Sequence, residues 1–145
     1  MFKIIFLCLL SLPAFSAESL VATDVWARAT PPGARSGAIY LTLENSSTAA
    51  IGISELRTNV ATMAHLHTTA LEDGMMRMRQ LEDFTIDAGE RVLLAPGGTH
   101  IMLMGLKGGL NTGDSFELEI VTTDGSVLST AVSVGTPGQM SATDK

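Results

Sequence analysis

Turn sequences divide this chain into short segments that suit strands better than helices. Glycine, proline, asparagine and aspartate cluster at several places, among them Pro31-Pro32-Gly33, Pro96-Gly97-Gly98 and Asp124-Gly125. Between the turns, runs such as Phe116-Glu117-Leu118-Glu119-Ile120 alternate apolar and polar residues, which is the period of a half-buried strand. No convincing helical stripe of apolar residues accompanies them. We therefore predict nine strands, at residues 20–28, 38–44, 51–56, 61–67, 75–80, 91–94, 100–106, 115–122 and 126–134.

Many short strands joined by tight turns predict an all-β protein, in the form of an antiparallel β-sandwich. The length of 145 residues is that of a single domain with a core of its own. No internal repeat and no linker divides the chain. We predict a signal peptide at residues 1–16, a β-sandwich domain at residues 17–134, and a flexible C-terminal tail of small and polar residues at 135–145.

The N-terminal residues have the pattern of a secretory signal peptide. Lys3 supplies the positive start, residues 4–12 the apolar stretch, and Ala14-Phe15-Ser16 a small-x-small cleavage site. The apolar stretch is too short to span a bilayer comfortably, and no later stretch is a candidate. We expect cleavage between Ser16 and Ala17, export to the periplasm, and no membrane insertion of the mature chain.

Cleavage there removes Cys8, the single cysteine, and with it any disulfide or thiolate ligand. This argues against a blue-copper electron-transfer site, which requires a cysteine. The residues before Cys8, Phe6-Leu7, are not the small ones that precede a lipid-modified cysteine, so we do not expect a lipoprotein. Without Lys3, eight basic residues face 15 acidic ones, a formal charge of −7. That acidity argues against binding to nucleic acids or anionic membranes.

Three histidines and six of the eight methionines lie between Met63 and Met104. Residues two apart on a strand share a face, so three predicted strands each gather imidazole or thioether groups on one side. These groups are Met63, His65 and His67; Met76 and Met78; and His100, Met102 and Met104. If the three strands are neighbours in the fold, their soft donors can converge on one ion.

Thioether sulfur is a neutral soft ligand that binds Cu(I) well and hard cations poorly, and imidazole adds a stronger donor. An ion held by neutral ligands alone can pass by ligand exchange to a thiolate-rich acceptor, as expected of a carrier. Packing is the competing interpretation, because methionine is a common core filler; it is favoured for Met63, Met75, Met76 and Met104 taken singly. The three histidines favour a metal, since an imidazole buried among methionines needs a polar partner or an ion.

With these residues in view, the chain resembles the periplasmic copper chaperone family PCu(A)C over nearly its whole mature length. The similar segments are residues 25–33, 37–45, 67–69, 73–79 and 96–106. The family motif, His-x10-Met-x21-His-x-Met, maps without gaps onto His67, Met78, His100 and Met102. The resemblance implies a cupredoxin-like β-sandwich that binds Cu(I) through these four residues. It also implies a carrier that passes copper to an acceptor protein, either an oxidase subunit during assembly of the copper centre or a second copper chaperone.

Several residues keep more than one interpretation. His65 occupies a position that is commonly acidic in the family. It is a fifth ligand, a residue that contacts the ligands without binding the metal, or an exposed residue with no part in the site. Met140, in the tail, is an auxiliary ligand or unrelated to the site. Trp26 caps the metal site or, as we favour, packs in the core. Arg77 and Arg79 dock an acidic partner or, as we favour, are solvated charges on the sheet.

A second functional hypothesis is a metal-free β-sandwich that binds a protein partner through an adaptable methionine-rich surface. An enzyme has little support, because no Ser-His-Asp or Cys-His arrangement stands out in the sequence. Histidines within a soft cluster are also poor candidates for hydrolysis. We therefore predict that the protein is not an enzyme.

Overall fold

The structure is a computed structural model that describes residues 19–144. Ten strands and no helix occur in that part of the chain, which confirms the all-β prediction. The strands are β1 (Leu20–Arg28), β2 (Ser36–Asn45), β3 (Ile51–Thr58), β4 (Ala61–Glu72), β5 (Met75–Gln80), β6 (Phe84–Ile86), β7 (Arg91–Leu94), β8 (His100–Leu106), β9 (Ser115–Thr122) and β10 (Val127–Gly135). The predicted signal peptide lies outside the described residues. Within residues 19–144, no helix could cross a membrane.

Most strands lie where the turn sequences place them, and the differences have local causes. β1, β5, β7, β8 and β9 begin and end at the predicted residues. β4 runs on to Glu72, because Asp73 and Gly74 take positive φ values of 49° and 77° and form a two-residue hairpin turn to β5. β6, which the sequence does not predict, has three residues and pairs with β3.

The strands form one ladder that closes on itself. The order β4-β8-β2-β1-β10-β9-β3 returns to β4 through a pairing of Leu56 with Ala64, so these strands make a barrel. The remaining three strands lie outside this closed ring: β5 pairs with β4, β6 with β3, and β7 with β2. The prediction of an antiparallel sandwich is therefore wrong in two respects: the sheet closes, and β1 pairs with β10 in parallel. Both features depend on pairings between distant segments, which local turn signals do not encode.

Apolar side chains that alternate along the strands fill the barrel. On β8, Ile101 and Leu103 are fully buried, and on β4, Ala64 and Leu66 belong to the same core. Since successive side chains on a strand point to opposite faces, the residues between them face outward. The histidines and methionines of β4 and β8 therefore lie on the outer face of the barrel wall, on backbone that the core holds in place.

The segment after β10 folds back against β1. Thr136 N–H donates a hydrogen bond to the side-chain oxygen of Gln139, which is buried. The Arg28 guanidinium donates to the backbone carbonyl of Gln139 at 2.9 Å, and its Nη2 lies 3.5 Å from the sulfur of Met140. These contacts connect the C-terminal residues to the strand that carries Trp26.

Candidate metal centre

Three adjacent strands carry the four predicted ligands. β4 lies between β5 and β8, and His67 lies directly opposite His100 across the β4–β8 pair. Met102 follows His100 by two residues on β8, while Met78 on β5 lies opposite Thr69, two residues beyond His67. Directly paired residues point to the same side of a sheet, and so do residues two apart. The structure therefore brings all four side chains to one outer face of the barrel.

The imidazole of His67 has no polar partner, although the residue as a whole is half-buried. Both of its ring nitrogens are shielded from water, and neither makes a hydrogen bond. The ring centre lies 6.3 Å from that of His100, with 48° between the ring planes. Burial lowers the pKa of His67, and the charges of His100 and His65 lower it further. The ring is thus kept in the neutral form, which has a lone pair to offer.

The loop before β8 orients His100, which is buried. Its Nδ1 lies 3.0 Å from the carbonyl oxygen of Gly98. Because a carbonyl oxygen can only accept a hydrogen bond, Nδ1 carries the proton and Nε2 of the neutral ring keeps its lone pair. The loop is a tight turn, in which Gly98 N–H donates to the Ala95 carbonyl at 3.1 Å and Gly97 has a φ of 83°. The hydrogen bond to this turn therefore determines that His100 offers Nε2 to a metal ion.

The two methionines of the predicted set lie outside the core. In the register, Met102 lies between His65 on β4 and Ala38 on β2, and its side chain is half-buried. Met78 is 52% exposed and belongs to β5, a strand at one end of the ladder. Neither thioether therefore belongs to the core cluster, and that of Met78 is open to an incoming ion.

The other methionines of this stretch do not fill the core either. Met63 is 50% exposed, Met75 and Met76 are also exposed, and Met104 is half-buried. The core-packing interpretation is therefore wrong for the three exposed methionines. Met63, Met76 and Met104 share the face of His67, whereas Met75 lies on the reverse side of the β4–β5 hairpin.

An aromatic row leads from β1 to the histidine pair. Trp26 is buried, and its ring centre lies 4.6 Å from that of Tyr40, which in turn lies 6.3 Å from His100. Trp26 is thus buried against Tyr40, but neither ring belongs to the core cluster inside the barrel, so the interpretation that we favour holds for the burial of Trp26 and not for its place. Burial raises the pKa of Tyr40 against the opposing charge of Arg28, whose guanidinium lies 5.7 Å from the ring centre. Sequence reasoning missed Tyr40, because its position depends on the register of β1 with β2.

The arginines that flank Met78 lie on the reverse side of the hairpin. Arg79 contacts the Glu72 carboxylate through Nε at 2.6 Å and Nη2 at 2.9 Å, and Arg77 Nε lies 4.0 Å from it. Both arginines are exposed, as solvated sheet charges are. In the part of the chain that the structure describes, no group of three or more His, Cys, Asp or Glu is placed to hold a metal. A metal on this face would therefore depend on thioether ligands.

Comparison of the sequence with protein families and curated proteins gives two matches. The model of the LpqE-like family, whose description carries a provisional lipoprotein name, matches residues 20–134. The protein Lxx21020 of Leifsonia xyli subsp. xyli (strain CTCB07), also provisionally named a lipoprotein, is 31% identical over 123 residues. That alignment covers 84% of this chain and 73% of the relative.

Solved structures share the fold. The solution structure of CuI-DR1885 from Deinococcus radiodurans is 34% identical, covers 84% of this chain and 81% of that one, and has a TM-score of 0.67. The copper-bound PCuAC domain from PmoF2 has a TM-score of 0.70 over 85% of this chain and 97% of that domain. Its sequence is 17% identical, so this second similarity concerns the fold alone.

Proposed function

This chain belongs to the LpqE-like family, the family of PCuAC domains, and on that premise we propose that it is a copper carrier. It binds Cu(I) through His67, Met78, His100 and Met102 and gives the ion up by ligand exchange. The similarity to DR1885, which has been solved with Cu(I), supports the choice of metal. The ion is the cargo of the protein, and the protein is not an enzyme.

The observation that carries this proposal is the imidazole of His67. Leaving a buried polar group without a partner costs about 1–3 kcal/mol, and both nitrogens of His67 are in that position. The ring lies opposite His100, whose Nε2 is free to act as a ligand, and beside two thioethers that the core does not use. A soft cation at this place would use lone pairs that have no other function in the fold.

The same ligand set explains how the ion can leave. All four donors are neutral, so the site does not compensate the charge of Cu(I), and a thiolate acceptor binds the ion more strongly. The exposed thioether of Met78 lies on an end strand, where an acceptor can approach and replace it first. We propose an oxidase subunit or a second copper chaperone as that acceptor.

Titration of the mature protein with Cu(I), without oxygen and against a coloured chelator, tests the ligand set. The double variant His100→Ala, Met102→Leu removes one imidazole and one thioether. Loss of a residue that hydrogen-bonds to a metal ligand typically lowers metal affinity roughly 10- to 100-fold. We expect the double variant, which loses two ligands, to lose more than that. The control is Met75→Leu, which removes an exposed thioether from the reverse side of the hairpin and should bind as wild type does. Unchanged affinity in the double variant would overturn the ligand assignment.

The carrier is proposed to act in the periplasm after removal of the signal peptide. Cleavage between Ser16 and Ala17 leaves a mature chain without Cys8. The intact mass of protein recovered from the producing cell tests this directly. A chain that starts at Ala17 supports the proposal, whereas a lipid-modified Cys8 would contradict it.

One observation favours the second function, a metal-free module that binds a protein partner. Leu71, Met75 and Met76 at the end of the β4–β5 hairpin are large, apolar and exposed, as residues of an adaptable interaction surface are. Metal analysis of protein purified from its native compartment separates the two functions. Copper in the purified protein supports the carrier, and metal-free protein supports the module.

A further inference from the structure

The outer face carries a second group of soft donors beside the four proposed ligands. Along the β4–β8 pair, His65 lies opposite Met102, and Met63 lies opposite Met104. We propose that Met63, His65 and Met104 form a second site for a soft monovalent cation of the Cu(I) class. The proposal rests on the proposed function in one respect, namely that this face meets Cu(I).

The register places these donors within reach of a single ion. Side chains directly opposite each other on antiparallel strands have Cβ atoms about 4.5–5.5 Å apart, as for Met63 and Met104. His65 follows Met63 by two residues on the same strand and the same face, which is a step of roughly 6.5–7 Å. Methionine has a long, flexible side chain, so two thioethers can close on an ion beside an imidazole.

Solvent can enter this group. Met63 is 50% exposed, and His65 and Met104 are half-buried. On the β2 side, Met104 lies opposite Ser36, which has a small side chain. Behind the group, Ala64 and Leu103 pack into the core and hold the two strands in register. The core therefore holds the backbone in place, while one donor is exposed and the other two are partly accessible to solvent.

The chemistry of the group is soft and uncharged. Two thioethers and one neutral imidazole suit a three-coordinate soft monovalent ion, whereas hard cations prefer oxygen ligands. An exposed thioether gains little from packing, so the core does not explain the pairing of Met63 with Met104. Because Met102 lies between this group and His100 along β8, the second site adjoins the first and can receive or stage the ion during exchange.

Native mass spectrometry of the mature protein with Cu(I) under anaerobic conditions tests this proposal. We expect wild type to bind two ions. The Met63→Leu, Met104→Leu variant should bind one, and the control Met75→Leu should bind two. NMR of methyl-labelled methionines should show the Met63 and Met104 signals shifting with the second equivalent.

The same measurements distinguish failure of this proposal from failure of the carrier function. The His100→Ala, Met102→Leu variant should retain one ion, at the second site. A single ion in wild type, with the methyl signals of Met63 and Met104 unmoved, would overturn the second site and leave the first intact. A second ion that moves only the Met140 signal would overturn it as well. No ion bound to wild type at all would overturn both proposals.

Discussion

The inner and outer faces of β4 and β8 divide two tasks between neighbouring residues. Inward, Leu66 and Ile101 are buried among other apolar side chains, where shape alone is required. Outward, His67 and His100 face each other, and His67 has two enclosed nitrogens without partners. A step of one residue along the strand therefore separates groups that stabilise the fold from groups that the fold leaves unsatisfied. Such local inconsistency is typical of functional sites.

The largest effect in this comparison is expected from a pair of alanine substitutions on β8. Leu103→Ala empties a fully buried position and should lower the free energy of unfolding by about 2–5 kcal/mol. Met102→Ala, one residue away on the outer face, should lower it by less than about 1 kcal/mol and should weaken Cu(I) binding. Urea unfolding of the apo proteins and Cu(I) titration measure both. Equal losses of stability would contradict the division between the faces.

Replacement of His67 by leucine should have a smaller effect on stability, and of opposite sign. Leucine removes a polar group whose nitrogens have no partners, so we expect the free energy of unfolding of the apo protein to rise by about 1 kcal/mol. Cu(I) affinity should fall at the same time. Thermal unfolding with and without Cu(I) checks both changes. A loss of apo stability on His67→Leu would show that the imidazole has a structural role.

Acidification should lower the free energy of unfolding of the apo protein through His67, by less than the substitutions above change it. Burial, with the charges of His100 and His65, lowers the pKa of His67 below its usual 6.5. When the pH falls below 6.5, His67 takes up a proton in the unfolded chain more readily than in the folded protein, so the free energy of unfolding decreases. Above pH 6.5 the ring is neutral in both states, and its contribution to the free energy of unfolding does not change with pH. Urea unfolding at about pH 7.5 and about pH 5.5 should show a smaller decline for apo His67→Leu than for wild type. Equal declines would contradict the role of His67.

The smallest effect is expected on the reverse side of the hairpin. Arg79→Gln breaks an exposed ion pair with Glu72, and such pairs contribute little in water. We expect no measurable change in the thermal unfolding midpoint or in Cu(I) affinity. A clear loss of affinity would mean that the charged side of the hairpin takes part in the site.

Local features of the fold could be predicted because they depend on nearby residues. The bounds of β5 and β8 follow from flanking turn residues, and side-chain parity correctly groups His100 with Met102 on one face. The sequence does not show which face of β8 is buried, because Ile101 and Leu103 on one side and the methionines on the other are all apolar. The structure resolves this through the core that other strands supply.

Long-range features could not be predicted. The barrel closes through a single β3–β4 pair, Leu56 with Ala64, and β1 lies parallel to β10, so neither depends on a local turn. β6 is too short to show a period. The position of Tyr40 between Trp26 and His100 depends on two registers at once. The four proposed ligands could be named from the resemblance, but their common face required the strand order.

X-ray absorption of the protein loaded with one equivalent of Cu(I) tests the central claim most directly, because it counts sulfur and nitrogen neighbours of the ion. We predict two sulfur neighbours at a distance typical of thioether ligation and two nitrogen neighbours, corresponding to Met78, Met102, His67 and His100. In the His100→Ala, Met102→Leu variant this two-plus-two pattern should be lost. A wild-type spectrum with nitrogen or oxygen neighbours alone would contradict the account.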